Sequence, residues 1–238
     1  MKTVRTSIFA TVVLAIISLA ACQKNNKSNV APAATGSSKL AFQLQASNAN
    51  LANLPSDSTS SITGLTWTAG TANVGKFAFV AQRSKVTINV FSNNLTSVDL
   101  FALTPLQTYI TLDTGIYKKI SITAYLEKQD TILPLKLTGT FTTDSSKTVP
   151  IEFDLDNNAI VQVKADSIDV NGTTDYTALL SMQLDRVTKG ITADDLNKAK
   201  LTNGSIIISD KSNIWLYYKM RANITLCGWF QCRPHRRF

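Results

Sequence analysis

From Lys39 onward the chain alternates. Leu40, Phe42, Leu44 and Ala46 fall on one side of an extended segment and Gln43 and Gln45 on the other, the period-two pattern of a half-buried strand. Similar texture runs through Ile62 to Thr68, Lys76 to Ala81, Val86 to Val90, Tyr109 to Leu112, Tyr117 to Leu126, Ile132 to Phe141, Thr148 to Leu155 and Ile160 to Lys164. Between these segments stand Ser92-Asn93-Asn94, Asp113-Thr114-Gly115, Asp144-Ser145-Ser146, Asp156-Asn157-Asn158 and Asn171-Gly172. Such residues suit tight turns because they bond their own backbone or tolerate a positive φ. Many short strands at near-regular spacing, rich in Val, Ile and Thr, predict an all-β antiparallel sandwich over residues 39–170. Pro134 and Pro150 cannot donate a ladder hydrogen bond, so their segments should begin there or run along an edge.

The texture changes over residues 171–226, predicted to pack on the sandwich as one short helix and further strands. Tyr176, Leu179, Leu180, Met182 and Leu184 mix helical and strand spacing, which leaves both readings open. Thr192 can cap a helix with Asp195 at the reciprocal third position, and Ile191 with Leu196 has the spacing of a hydrophobic staple. A helix from about Ala193 to Lys200 is expected, ended by Asn203-Gly204. Ser205 to Ser209 and Ile214 to Leu226 read as strands.

The start of the chain is of another kind. Lys2 and Arg5 precede an uncharged run from Thr6 to Ala21, closed by Leu19-Ala20-Ala21-Cys22. The run falls short of the roughly 20 apolar residues that span a bilayer, so residues 1–21 read as a secretory signal. They resemble a bacterial lipoprotein signal peptide, in which the cysteine after Leu-Ala-Ala or Leu-Ala-Gly becomes the lipidated first residue of the mature protein. By that resemblance Cys22 carries the anchor, and acyl chains contributing about 0.8 kcal/mol per buried methylene would hold the protein on a membrane. The resemblance also implies outer-membrane placement, facing periplasm or surface, because no aspartate follows Cys22. Gln23-Lys24 match the start of a surface-export tag, whereas Asn25 and Asn26 replace its acids. Residues 22–38 hold almost no large apolar side chain and are expected to form a flexible tether.

A second resemblance rests on Val98-Asp99-Leu100, the corner Leu112-Asp113-Thr114-Gly115-Ile116-Tyr117, the alternating segment to Ile122, Pro134-Leu135-Lys136-Leu137 and Ile151-Glu152-Phe153-Asp154-Leu155-Asp156. Across roughly residues 39–166 the chain is similar to an uncharacterised Gram-negative lipoprotein domain family. That resemblance implies a transthyretin-like or immunoglobulin-like sandwich in the envelope, and no known reaction. At the corner, Gly115 would permit a positive φ and Tyr117 would bury its ring and return its hydroxyl to backbone. Residues 47–61 depart from the family in forming a polar loop.

Residues 227–238 form an atypical tail that holds Cys227, Cys232, the single His235 and three arginines. A Cys227–Cys232 disulfide is one reading. A metal site from both thiols and His235 is another, short of a paired Cys-x-x-C. The third, favoured by the abrupt change in composition, is a tail foreign to the fold, outside the native reading frame.

Charge limits the partners. The formal +8 falls to +6 without Lys2 and Arg5, and to +3 without Arg233, Arg236 and Arg237. A body so mildly basic, with no lysine stripe interleaved with aromatics, is not expected to bind nucleic acid. Between Gln23 and Leu226 there is no His or Cys, which removes Ser-His and Cys-His nucleophile pairs. Glu152, Asp154 and Asp156 alternate on one strand face. Asp154, Asp156 and Asn158 are weak candidates for a calcium loop, lacking its sixth-position glycine and, at Ala165, its closing glutamate. Trp67, Phe77, Phe79 and Phe91 could stack on a glycan or fill the core. No cofactor is expected and no catalytic residue is assigned. The expectation is a lipid-anchored, non-catalytic binding or structural module, with a glycan or an envelope protein as partner. The alternatives are a carboxylate-dependent envelope glycan hydrolase and a fimbria-like adhesion subunit whose strand joins a neighbour's edge.

Overall fold

The computed structural model describes residues 36–47 and 62–236; residues 1–35, with Cys22, residues 48–61 and the last two residues lie outside the described residues. The strands are β1 (Ser37–Ser47), β2 (Leu65–Arg83), β3 (Val86–Phe91), β4 (Leu95–Asp99), β5 (Gln107–Asp113), β6 (Gly115–Leu126), β7 (Leu135–Thr142), β8 (Thr148–Leu155), β9 (Ala159–Val170) and β10 (Thr174–Gln183). After them come α1 (Leu184–Val187), α2 (Ala193–Asn197), β11 (Leu201–Thr202), β12 (Ser205–Ile208), α3 (Ile214–Ile224) and β13 (Gly228–Arg236). Among the described residues no helix is long and apolar enough to cross a membrane.

The fold is an all-β sandwich. One sheet runs β13-β10-β1-β5; the other runs β11-β12-β8-β7-β2-β6-β9, with β3 and β4 also paired to β2. The alternation does its expected work in β1, where Leu40, Phe42 and Leu44 are buried. Phe42 stacks on Phe77 of β2 at 5.1 Å between ring centroids, joining the two sheets. Full burial of each such side chain stabilises by about 1.5–3 kcal/mol.

The two segments predicted at Ile62–Thr68 and Lys76–Ala81 are one long strand, β2. Its first half pairs with β7 and its second with β6, and β4 pairs across the junction at Ala72 and Val74. A bulge near Thr68 on β2 faces Gly139 of β7, where an added Cβ would lie 2.2 Å from the Thr66 carbonyl oxygen. Only glycine permits that approach. Pro134 directly precedes β7, and Pro150 lies outside the stretch of β8 that β12 covers.

Three expectations are corrected. The sheets are mostly antiparallel but mixed, since β1 pairs with β10 and β12 with β8 in parallel; these strands are far apart in sequence, so no tight hairpin dictates their direction. Among the described residues there are three short helices rather than one. The capping box of α2 is present: Thr192 Oγ1 accepts from Asp195 N at 3.1 Å, and Asp195 Oδ2 accepts from Thr192 N at 2.9 Å. But Ile214–Ile224 is the helix α3, not a strand. Its aromatic content suggests β structure, yet Leu216, Met220 and Ile224 recur every fourth residue and are the ones buried, with Tyr217 beside them. Both spacings in 176–184 are real in turn, because β10 passes directly into α1.

Nor is the tail foreign to the sandwich. Residues 228–236 pair with β10 along the whole of β13, and Gly228 sits where a Cβ would meet Val161 and Val163 of β9 within 3 Å.

Candidate functional site

At one end of the body the chain turns from β5 into β6 through the predicted corner. Gly115 has φ +143°, a value that costs glycine little and other residues much. Tyr117 is buried to 1% exposure, and its hydroxyl donates to the Asp113 carbonyl at 2.9 Å. Arg83, the last residue of β2, lies across the same ring, its guanidinium 5.7 Å from the centroid. Its Nη2 meets the Asp113 carboxylate at 3.0 Å and its Nη1 donates to the Thr114 carbonyl at 3.2 Å. Burial pushes the Tyr117 pKa up, against the pull of Arg83. Thr114 N donates to the Gly36 carbonyl at 2.9 Å, so Gly36, the first described residue, is held at this corner.

Directly outside this frame lies a hollow of about 630 Å³ lined by Gln82, Ser84, Lys85, Ile116, Lys118, Lys119 and Asp166. Three lysines and one aspartate share its lining. The backbone presents them by force. Arg83 pairs with Val86, so Ser84 and Lys85 are the two central residues of a hairpin turn, with φ +50° and +70°. That geometry usually calls for Asn-Gly, and holding other residues there stores strain. Lys119 also has a positive φ, +52°. It occupies a bulge: Lys118 pairs with Gln82 and Ser121 with Val80, so Lys119 and Ile120 together oppose Ala81. On the other side Asp166 of β9 stands opposite Lys119. Among the described residues none of these lysines, nor Asp166, takes part in an ion pair. The sequence reading missed this cluster. Its signal is a break in parity, since the buried positions of β6 run 117, 120, 122 and only an extra residue at 119 keeps them on one face.

The predicted carboxylates lie on the outer face of β8, and lysines close on them. Lys136 of β7 reaches Glu152 at 2.6 Å and Asp154 at 3.2 Å. Lys128 reaches Asp156 at 2.6 Å, and its backbone N–H donates to Asn158 Oδ1 at 2.8 Å. Burial and the neighbouring Glu152 carboxylate push Asp154 up to about 6. Against the upward push of burial, hydrogen bonds from Lys136 and Asp154 lower Glu152. Among the described residues no three or more His, Cys, Asp or Glu side chains gather as metal ligands.

The remaining candidates part company. Trp67, Phe77 and Phe79 are core residues, whereas Phe91 is half exposed with Lys76 Nζ 5.1 Å from its ring centroid. The Cys227–Cys232 disulfide, one of the readings of the tail, is not formed, and both thiols are free. The ladder from Gly228 to Cys232 is continuous, which separates their ends by about 13 Å at strand rise, beyond a disulfide's reach. Burial pushes Cys227 up to about 12 and Cys232 up to about 11, so neither is a reactive thiolate. No protein-family model, curated protein or solved structure matches the chain.

Proposed function

We propose that this chain is a lipid-anchored envelope protein whose sandwich serves as a non-catalytic binding or structural module. The observation that carries the reading is the order of its first residues: a charged start, an uncharged run, Leu19-Ala20-Ala21-Cys22, then a polar stretch leading to β1 at Ser37. The resemblance to a Gram-negative lipoprotein domain supports an outer-membrane location, with a glycan or an envelope protein as partner. The open hollow gives such a module a place to bind, and the lysine-neutralised carboxylates fit a structural role. Mass spectrometry of the native product tests it. The expected result is a mature chain beginning at an acylated Cys22; an intact signal with a free thiol and aqueous partition overturns it.

The hydrolase reading keeps one observation of its own. Glu152 and Asp154 titrate in opposite directions, the arrangement that divides acid from base in carboxylate enzymes. They are nevertheless neighbours on one strand, both held by Lys136, without the opposed geometry that flanks a sugar ring. Turnover of an envelope glycan that vanishes in a folded Glu152→Gln variant would decide for that reading.

A further inference from the structure

We propose that the lysine-lined hollow docks onto phosphate head groups of the membrane that holds the anchor. This rests on the anchored reading above for its geometry, and on four features of the body for its chemistry. First, Lys85, Lys118 and Lys119 converge on one concavity with a single opposing carboxylate, Asp166. Lys136 on β7 and Lys128 just beyond the end of β6 are neutralised by partners within 3.2 Å, whereas among the described residues these three form no ion pair. Second, the hollow carries hydrogen-bonding groups beside the cations, Ser84 and Gln82, as an oxyanion with several acceptor oxygens requires.

Third, the hollow lies where the chain enters. Gly36 bonds Thr114, Thr114 bonds Arg83, and Arg83 leads straight into Ser84 and Lys85. Ile116, two residues beyond Thr114, lines the hollow with its side chain 54% exposed. The span from Cys22 to Gly36 reaches about 50 Å at most, so an anchored body returns to the surface repeatedly. Its anchor-side end is then the end that meets lipid. Fourth, an apolar side chain projecting beside unpaired lysines is the composition of an interfacial contact, the cations drawn to anionic lipid and Ile116 to the acyl boundary.

Lysines near an anionic surface act additively and are screened within about 8 Å at physiological salt. The hollow therefore favours a surface dense in phosphate over a dilute soluble anion.

The test uses the chain from residue 22 onward with Cys22→Ser, so that no lipid contributes. Co-sedimentation with vesicles of phosphatidylcholine, and of phosphatidylcholine mixed with phosphatidylglycerol, gives the partition coefficient. Binding to the mixed vesicles alone, weakening as salt rises, is expected. Combined Lys85→Gln, Lys118→Gln and Lys119→Gln should lower the coefficient about a hundred-fold. Combined Lys189→Gln, Lys200→Gln and Lys211→Gln removes the same charge beyond the other end of β10 and should leave it unchanged, while thermal melting reports that both variants are folded. Equal binding to neutral vesicles, or an equal loss in the two variants, overturns the proposal. So does soluble glycerol phosphate that displaces the protein at concentrations too low to screen charge, for then the hollow takes a free phosphate. Because this chain carries no lipid, the outcome is independent of whether Cys22 is acylated, which the mass measurement decides.

Discussion

Two lysine clusters on one sheet behave in opposite ways. Around Lys136 the cation sits between Glu152 and Asp154, on regular strands in ordinary register. Around Lys85, Lys118 and Lys119 the cations form no ion pair among the described residues, and the backbone that holds them leaves the regular path at Ser84, Lys85 and Lys119. The first arrangement satisfies its charges within the fold and needs nothing further. The second spends conformational energy to display charge. The turn at Ser84 and Lys85 also joins β2 to β3, so variants that separate the hairpin's needs from the display of charge decide what the strain serves.

The sharpest way to break this comparison is to remove what supports the strained turn. Arg83→Met deletes the ion pair to Asp113, the bond to the Thr114 carbonyl and the contact on the Tyr117 ring. A loss of about 2–3 kcal/mol is expected in urea unfolding, with weaker vesicle binding as the turn loosens. A variant as stable as the parent would show the corner stands without its arginine. Next, Lys136→Met leaves two half-buried carboxylates side by side. The expected loss near neutral pH is about 1–2 kcal/mol, discounted for their partial exposure. It should shrink on acidification, as the carboxylates protonate and stop repelling. A deficit that does not change with pH would mean that Lys136 contributes packing and not charge.

A third measurement follows Asp154 itself. Its folded pKa of about 6 lies above the usual carboxylate value, so the native state holds the proton more tightly than the unfolded chain. Its contribution to stability is therefore full below about pH 4 and lost as pH rises towards 6. Glu152, lowered, works in the opposite sense and reduces the net slope. Asp154→Asn should abolish the decline, gaining on the parent by on the order of 1 kcal/mol between pH 4 and pH 7. Parallel stability curves for the two proteins would refute the assignment.

The sequence announces these regions unevenly. Strand alternation finds β1, β5, β6 and β8 because each buries one face, and the corner is legible down to the hydroxyl of Tyr117, since a glycine and a tyrosine two residues apart leave the chain few options. α3 is hidden for the converse reason: Trp215, Tyr217 and Tyr218 carry strand preference, while the burial that makes a helix of them comes from contacts with α1, β8, β9 and β12. β13 is hidden because its composition advertises reactivity, whereas its place is fixed by the open edge of β10. Of the two clusters, the carboxylates are visible as an i, i+2 pattern, yet Lys136 comes to them only through register. The hollow assembles a turn, a bulge and a third strand, and only Lys118-Lys119, two polar residues where alternation allows one, betrays it.

The smallest expected effect discriminates best. Replacing Ser84-Lys85 by Asn-Gly supplies the two residues that a turn with two positive φ values prefers, and removes one lysine from the hollow. If the turn existed only to join β2 to β3, the change would be a simple improvement, about 0.5–1 kcal/mol of added stability with binding untouched. If Lys85 is kept there to meet phosphate, the same variant should be more stable and bind anionic vesicles about fivefold less well. Lys85→Gly alone should reproduce both effects, while Ser84→Asn alone should add stability without weakening binding. Stability gained by Lys85→Gly with no loss on vesicles would leave the strained lysine without a purpose, and the contrast between the open and closed clusters would then be one of local geometry alone.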